Sequence, residues 1–231
     1  MWKAGVEVLG AVRLSVPAPC CTGFVEGCTG FVEPRVLACD LDGVVVDLRE
    51  SIKLAVVRGL ARMFPRTAGG ECDPELGYDL SGLGLSETER QSLYAAVFDD
   101  PATYAFAEPV SGAVSGLGRL VRSGWQVVGV TARPAHLRGV TLKWLRQHDV
   151  PIGHVVFSAV GRKADHARAL GAVASVEDRP DEADLLARVC RSFLFEQPHN
   201  RGAAAAYACR VRSWHELVGH LGQQTLWPRA G

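Results

Sequence analysis

Residues 36–44, VLACDLDGV, form a short apolar run that ends in two aspartates and a glycine. A strand that is apolar along its whole length is typical of a parallel sheet whose two faces are both covered. In open sheets of this kind, ligands bind outside the carboxyl ends of the strands. The stretch therefore predicts a buried first strand and places Asp40 and Asp42 at the edge where function is expected.

Short apolar strands and helical stretches continue to alternate along the chain after this first strand. The alternation predicts an α/β fold with a doubly wound, parallel, five-stranded core. The predicted strands cover residues 36–40, 126–131, 154–157, 174–177 and 191–195. About 80 residues separate the first two strands, which is far more than one crossover helix needs and marks an insertion.

The insertion is predicted to be a small helical cap. Residues 48–64 carry apolar side chains at helical spacing, and Ser86 with Glu89 forms a capping box at the start of a second helix. We divide the chain into an N-terminal extension that we expect to be poorly ordered, an α/β core in two pieces, the cap and a C-terminal tail. These parts cover residues 1–35, then 36–47 with 107–221, then 48–106, and finally 222–231.

The overall charge of the chain is balanced, with 25 lysines and arginines against 25 aspartates and glutamates. This balance provides no general field for a nucleic-acid backbone or an anionic membrane, so neither is an expected partner. Seven cysteines without a CxxC pair argue against a disulfide framework or a zinc ribbon. There is also no apolar run of the roughly 18 residues that a membrane span needs. These features predict a cytoplasmic protein with reduced thiols.

Reactive side chains follow the other predicted strands as well as the first. Residues 131–133, TAR, follow the second strand, Lys163 opens the helix after the third, and Glu177 and Asp178 follow the fourth. Carboxylates at one edge repel each other unless a cation joins them, and carboxylate oxygens are the ligands that Mg²⁺ prefers. The sequence therefore predicts a Mg²⁺ cofactor. Its predicted ligands are Asp40, Asp42 and Asp178, with Glu177 as an alternative ligand or a neighbour that supports them.

The same residues predict covalent phosphoryl transfer. Asp40 is the expected nucleophile and attacks phosphorus to give an aspartyl-phosphate, once the metal offsets the repulsion between the two anions. Asp42 is the expected general acid for the leaving oxygen and then the base for the hydrolytic water. Lys163 is the third predicted catalytic residue, because its charge stabilises the transferring group. The predicted phosphate-binding residues are Gly43, Thr131, Ala132, Arg133 and Lys163.

Four segments of the chain resemble, in order, the four motifs of the haloacid dehalogenase (HAD) superfamily. They are DLDGV at residues 40–44, the threonine in VVGVTARP, the lysine in GRKAD and the acidic pair in SVEDRPDEA. The aspartate at the second position of the first motif, here Asp42, resembles the phosphatase branch. The resemblance implies a HAD-like core and a phosphatase of small phosphate esters.

Over residues 36–221 the chain is most similar to the 5'(3')-deoxyribonucleotidases, the type C 5'-nucleotidase family. The similarity includes DLDGVVVD, TARP, EDRPD and the PHN segment at residues 198–200. It implies hydrolysis of a 5'-(deoxy)nucleoside monophosphate, with a helical cap that closes over base and sugar. Two positions depart from the family pattern: Glu177 stands where relatives often have aspartate, and Ala132 stands where they often have serine. The second departure removes one contact to phosphate.

Other functions are compatible with the same residues. The core under a different cap would serve a phosphatase for a small sugar phosphate or a phosphoglycolate-like metabolite. A non-catalytic, phosphate-binding regulatory module is a second alternative, and the complete set of motif residues argues against it. The sequence leaves the oligomeric state open, and a homodimer is one of the states that it allows.

Several residues near the motifs have a structural interpretation beside a functional one. Asp47 is more often the N-cap of the following helix than a substrate contact, and the same holds for Asp181. Arg133 is expected either at the phosphate and leaving group or at the surface. His199 and Asn200 lie near the site or cap local backbone, so the predicted catalytic set omits them. The cap also carries aromatic residues that either stack on a base or pack in its core: Phe64, Tyr78, Tyr94, Phe98, Tyr104 and Phe106.

Overall fold

The computed structural model describes residues 35–63, 80 and 83–222. Nearly all of the N-terminal extension, the linker within the cap and nearly all of the C-terminal tail lie outside the described residues. The predictions made for those segments stay predictions. Within the described part of the chain, every helix is too short or too polar to cross a membrane.

Strands and helices alternate along most of the described chain. In chain order they are β1 (Arg35–Cys39), β2 (Val46–Asp47), α1 (Arg49–Met63), α2 (Glu87–Phe98), α3 (Pro101–Ala105), β3 (Glu108–Pro109), α4 (Ala113–Arg122), β4 (Trp125–Thr131), α5 (Arg138–Gln147), β5 (His154–Phe157), α6 (Lys163–Ala169), β6 (Ala172–Glu177), α7 (Pro180–Leu186), β7 (Arg191–Phe195), β8 (Cys209–Val211) and α8 (Trp214–Gly222). Short 3₁₀ turns at Ala135–Leu137 and Pro198–Asn200 precede α5 and follow β7.

The main sheet has six parallel strands among the described residues, in the order β5-β4-β1-β6-β7-β8. The five predicted strands are confirmed, with ends that agree within two residues. The sixth strand, β8, pairs with β7 at one edge of the sheet. Sequence patterning did not indicate β8 because the strand has three residues and only one of them is buried.

Helices cover both faces of this sheet, which confirms the doubly wound arrangement. Leu37 and Cys39 of β1 belong to the larger apolar core, together with residues of α4, α5 and α8. Val36 and Ala38 belong to a smaller core with residues of α6 and α7. Successive residues of a strand face opposite sides of its sheet, so β1 is buried from both sides at the centre of the fold.

The register of the central strands brings the predicted site residues to one edge. Cys39, the last residue of β1, lies beside Gly129 of β4 and Val176 of β6. The backbone N–H of Asp40 donates to the carbonyl of Val176 at 3.0 Å. Because the three strands run in the same direction, the residues that follow β1, β4 and β6 meet at the same edge.

The described part of the cap consists of α1, α2 and α3, and the antiparallel pair β2 and β3 stands where the chain leaves and re-enters the core. The predicted capping box is confirmed, since Ser86 Oγ accepts the N–H of Glu89 at 3.4 Å and Glu89 Oε2 accepts the N–H of Ser86 at 2.9 Å. Asp47 accepts the N–H of Arg49 at 3.1 Å where α1 begins. The contact gives Asp47 a structural role at the start of α1, although Leu48 and not Asp47 directly precedes the helix.

The N-cap prediction for Asp181 was wrong. Helix α7 begins at Pro180, with Arg179 in the N-cap position, so Asp181 lies within the first helical turn. Its carboxylate pairs with Arg179 at 2.6 Å. A proline at the first helical position needs no N–H partner, so the helix starts earlier than the acidic residue suggested.

Candidate active site

Three carboxylates meet at the carboxyl edge of the sheet. Asp40 follows β1, Glu177 ends β6 and Asp178 comes next, and one oxygen from each lies within 4.8 Å of the others. All three residues are buried. Oxygens this close together can contact a single cation.

Lys163 opens α6, and its ammonium group lies between two of these carboxylates. Its Nζ is 2.7 Å from Asp40 Oδ1 and 2.7 Å from Glu177 Oε2. Burial opposes the charged form of Lys163, but the attraction of Asp40 and Glu177 raises its pKa. The lysine therefore stays charged and offsets part of the negative charge around Asp40.

The three carboxylates carry more negative charge than Lys163 can offset. Burial raises the pKa of Asp40 well above its usual value, and Glu177 raises it further while Lys163 opposes the shift. Burial likewise raises the pKa of Glu177 and the pKa of Asp178. A bound cation would relieve this repulsion, so the chemistry of the donor set fits a metal ion.

Glu177 and Asp178 have different surroundings. Both oxygens of Glu177 have protein partners, since Oε2 accepts from Lys163 and Oε1 accepts the backbone N–H groups of Asp178 and Arg179, each at 3.2 Å. Asp178 Oδ2 lies 3.3 Å from His199 Nε2. A carboxylate whose two oxygens already accept hydrogen bonds is less available to a metal. Asp178 is therefore better placed than Glu177 to serve as a ligand.

Gly43 lies directly against Asp178. Its φ is 75°, in the left-handed region that favours glycine. A Cβ at this position would be 1.9 Å from Asp178 Oδ2. The missing side chain thus allows the backbone after β1 to approach the carboxylate after β6. The close approach of Gly43 to phosphate, for which the sequence suggested it, stays a prediction.

The free energy of unfolding of the Gly43→Ala variant should be lower than that of the wild type by at least about 1–2 kcal/mol. An L-residue loses about that much in the left-handed conformation, and the added methyl group must also displace Asp178. Urea unfolding measures the difference. Gly139→Ala, at the start of α5 where an added Cβ contacts nothing within 4 Å, is the matched control and should gain up to about 1 kcal/mol. Wild-type stability in Gly43→Ala would show that the backbone relaxes without cost.

The residues after β4 occupy three different environments. Thr131 is buried, and its Oγ1 accepts the backbone N–H of Arg133 at 3.2 Å. Ala132 is exposed and offers only its backbone to a ligand. The Arg133 side chain is only 1% exposed and forms a two-pronged ion pair with Asp42, through Nε at 2.9 Å and through Nη2. The phosphate contacts expected of these three residues stay predictions, and nothing in the sequence indicated the pair with Asp42.

Three residues after β7 support the site although the predicted set omits them. Asn200 Nδ2 donates to the backbone carbonyl of Asp178 at 2.6 Å, and Gln197 Nε2 donates to that of Gly43 at 2.5 Å. His199 lies beside the Asp178 carboxylate. The PHN segment is part of the family resemblance, but its contacts join residues far apart in sequence. Such contacts become visible only in the folded chain.

Tyr94 of α2 is a partly exposed aromatic residue of the cap. It is 44% exposed, and its ring centroid lies 4.3 Å from that of Phe98. Burial raises the pKa of Tyr94, and the charges of Arg179 and Asp42 also act on it. Phe64 and Tyr78, two other aromatic residues of the predicted cap, lie outside the described residues.

Many families share this fold, and a comparison with known families identifies the one that this chain matches. The model of the family described as "5' nucleotidase, deoxy (Pyrimidine), cytosolic type C protein" matches residues 34–223. This range spans most of the chain and contains every residue of the site. The chain belongs to this family. The predicted resemblance to the type C 5'-nucleotidases is thereby confirmed.

One relative of this chain is a putative nucleotidase from Halalkalibacterium halodurans. It is 27% identical over 93 residues, which are 39% of this chain and 48% of the relative. The match thus spans about half the length of that protein.

Two solved structures have a fold similar to that of this chain. A HAD family hydrolase from Deinococcus radiodurans, with bound phosphate and sodium, has a TM-score of 0.56 and 20% identity over 82% of this chain and 95% of its own. A haloacid dehalogenase-like hydrolase from Streptococcus pneumoniae has a TM-score of 0.60 and 12% identity over 81% and 98%. At such low identity the similarity shows the HAD fold alone, and it confirms the fold prediction.

Proposed function

We propose that the chain is a magnesium-dependent phosphomonoesterase that acts through an aspartyl-phosphate on Asp40, and that its substrate is a 5'-(deoxy)nucleoside monophosphate. The observation that carries the proposal is the buried Asp40 carboxylate, held 2.7 Å from Lys163 at the edge where Asp178 also lies. A carboxylate fixed by a lysine beside a cation site is suited to attack phosphorus.

The proposed reaction uses the same residues in two steps. Asp40 attacks phosphorus and the bond to the ester oxygen breaks, while Asp42 gives its proton to that oxygen. Water then attacks the aspartyl-phosphate, Asp42 takes a proton from the water, and phosphate leaves with Asp40 restored. Lys163 and the backbone N–H groups after β4 stabilise the charge on the phosphate oxygens in both steps.

Asp40 and Asp178 would hold the Mg²⁺ ion, because both offer the hard oxygen ligands that this ion prefers. When bound, the ion reduces the repulsion between Asp40 and the phosphate dianion. Asp42 is not among the three clustered carboxylates, and Arg133 engages both of its oxygens. The place of Asp42 as a metal ligand therefore stays a prediction.

Mg²⁺ should raise the melting temperature more at about pH 8 than at about pH 5. The pKa values of Asp40, Glu177 and Asp178 are raised in the metal-free fold. At a pH above the ordinary pKa values of these groups, the metal-free folded state therefore binds more protons than the unfolded state. This difference in bound protons lowers the free energy of unfolding as pH rises. A cation that binds the deprotonated carboxylates stabilises the folded state and so reverses this loss of stability. Calorimetry with Mg²⁺ and with chelator measures the shift. A shift of the same size in Asp178→Asn would contradict this assignment of the site.

A nucleotide is the substrate that the family membership favours, and the cap supports it. Tyr94 and Phe98 form an aromatic pair on α2 of the cap, and Tyr94 is 44% exposed. An exposed aromatic pair in the cap suits an ester with a flat, stacking leaving group. We also propose that the enzyme works in the cytoplasm, since the three described cysteines, Cys39, Cys190 and Cys209, are free thiols.

Phosphate release from a panel of esters tests the proposal. The panel contains 5'- and 3'-nucleoside and deoxynucleoside monophosphates, hexose phosphates and phosphoglycolate, each with Mg²⁺ and with chelator. We expect Mg²⁺-dependent release that is fastest with 5'-nucleotides. Preference for a sugar phosphate or phosphoglycolate would overturn the substrate and keep the chemistry. Nucleotide binding without release from any ester would identify a regulatory module instead.

A further inference from the structure

The Arg133 side chain is buried among protein groups that already use most of its donors. Nε and Nη2 donate to the two oxygens of Asp42, and Nη1 donates to Thr141 Oγ1 at 2.9 Å. Three of the five N–H donors of the guanidinium are thus committed to these two partners. The Thr141 hydroxyl in turn donates to the carbonyl of Leu137 at 2.9 Å, so it accepts from Arg133 in a fixed direction.

The cap covers one face of the same guanidinium. The ring of Tyr104, on α3, lies 4.2 Å from the guanidinium carbon, a distance at which a cation and an aromatic ring attract. Tyr104 is itself buried, and its hydroxyl donates to the carbonyl of Phe98 at 2.9 Å. Arg133 is therefore held between the core helix α5 and the cap helix α3.

Arg133 and Asp42, the two members of the ion pair, differ in their exposure to solvent. The Arg133 side chain is 1% exposed, whereas the Asp42 side chain is 25% exposed. Solvent therefore reaches the Asp42 carboxylate but hardly reaches the Arg133 guanidinium. A planar guanidinium that grips both oxygens also fixes the rotation of a carboxylate, which a lysine ammonium does not do.

We propose that Arg133 is a positioning residue for Asp42 and not a phosphate ligand: it fixes the direction in which Asp42 meets the leaving oxygen, and Tyr104 couples that direction to the docked cap. The inference rests on the proposed phosphatase function and names how one of its catalytic groups is oriented. It assigns to Arg133 a role different from the phosphate contact that the sequence suggested.

A positioning role and a phosphate-binding role for Arg133 predict different effects of the leaving group on the rate of its release. A misdirected general acid slows the release of an alkoxide, which needs a proton, but not the release of nitrophenolate, which leaves without one. A lost phosphate ligand slows both esters equally, because the phosphoryl group is the same in both, and it also weakens binding of the substrate.

The experiment measures a single turnover, with the Mg²⁺-loaded enzyme in excess over the ester. Alcohol release then reports the attack of Asp40 alone and excludes the later hydrolysis of the aspartyl-phosphate. For Arg133→Gln we expect nucleoside release from a 5'-nucleotide to slow about 10- to 100-fold, part of the usual effect of a general acid. Nitrophenol release should slow less than about 3-fold, with the concentration for half-maximal rate unchanged within the same factor.

Asp42→Asn provides the second measurement. If Arg133 acts through Asp42, adding Arg133→Gln to Asp42→Asn should slow nucleoside release no further, because the group that Arg133 directs is already absent. The matched control is Arg138→Gln, an exposed arginine of α5 that lies over the ring of Phe157 outside the site. Circular dichroism melting of each variant checks that the fold is retained.

Each other outcome overturns the inference in its own way. Equal slowing of both esters, with weaker substrate binding that persists in the Asp42→Asn background, would make Arg133 a phosphate ligand. Wild-type rates in Arg133→Gln would leave it without a role in the reaction. Failure of the wild type to release alcohol from either ester would instead sink the proposed function itself, so the two failures are distinguishable.

Discussion

Asp40→Asn should lower phosphate release from the preferred ester by at least about a thousandfold, because an amide cannot form the aspartyl-phosphate of the proposed reaction. The substitution is nearly isosteric and removes one of three crowded carboxylates, so the fold should persist. The measurement is steady-state phosphate release with Mg²⁺, accompanied by the binding of the unreacted ester.

The control for Asp40→Asn is Asp165→Asn, an exposed aspartate of α6 that pairs with Arg162. Its activity should equal that of the wild type. An Asp40→Asn enzyme that binds the ester and does not cleave it would agree with a nucleophile at this position. Activity within about tenfold of the wild type would mean that another group attacks phosphorus, and the assignment would be abandoned.

Lys163→Met should cost both stability and activity. It leaves Asp40 and Glu177 buried without the ammonium that contacts them both at 2.7 Å. Removing one member of a buried ionic cluster costs about 3–5 kcal/mol. Loss of the charge that the proposed mechanism places against the phosphate should also slow phosphate release by about 100- to 1000-fold.

The loss of stability in Lys163→Met should depend on pH. At low pH the carboxyl groups of Asp40 and Glu177, whose pKa values burial raises, take up protons and no longer need the lysine. The difference in unfolding free energy from the wild type should therefore shrink as pH falls and grow as pH rises towards neutrality. Urea unfolding at several pH values, in the presence of chelator, measures it.

Two further variants isolate the cause of this loss. Lys143→Met, at an exposed position of α5, should leave stability and activity unchanged. Adding Glu177→Gln to Lys163→Met should recover part of the stability, because it removes one of the two carboxylates left unpaired. A Lys163→Met protein as stable as the wild type at neutral pH would show that the two carboxylates are already neutral in the metal-free fold.

The local structure of the chain was predictable because it depends on residues close together in sequence. Residues 36–44 alone indicate a buried strand that ends in two aspartates, and Ser86 with Glu89 indicates where a helix starts. The convergence of residues that follow different strands was predictable as well, since parallel strands present their carboxyl ends at one edge. Both kinds of inference need the pattern of the chain and no knowledge of which strands are neighbours.

The pairing of charges was decided only by the tertiary structure. Arg133 meets Asp42 across 91 positions of the chain, and Gln197 meets Gly43 across 154. Whether Glu177 or Asp178 is open to a metal depends on which of them Lys163 and the backbone N–H groups already contact. Such contacts depend on strand order and on the direction of single side chains, which composition and periodicity do not encode.

By itself, the sequence determined the α/β class and the family, and it predicted which acidic residues and which lysine follow the strands, because each of these depends on a local pattern that survives without a fold. Only the tertiary structure decided the strand order, the edge strand β8, the place of Gly43 against Asp178 and the burial of Arg133 behind Asp42. The physical reason is that burial and charge pairing are properties of distances in space, and the sheet brings distant parts of the chain within a few ångströms of each other.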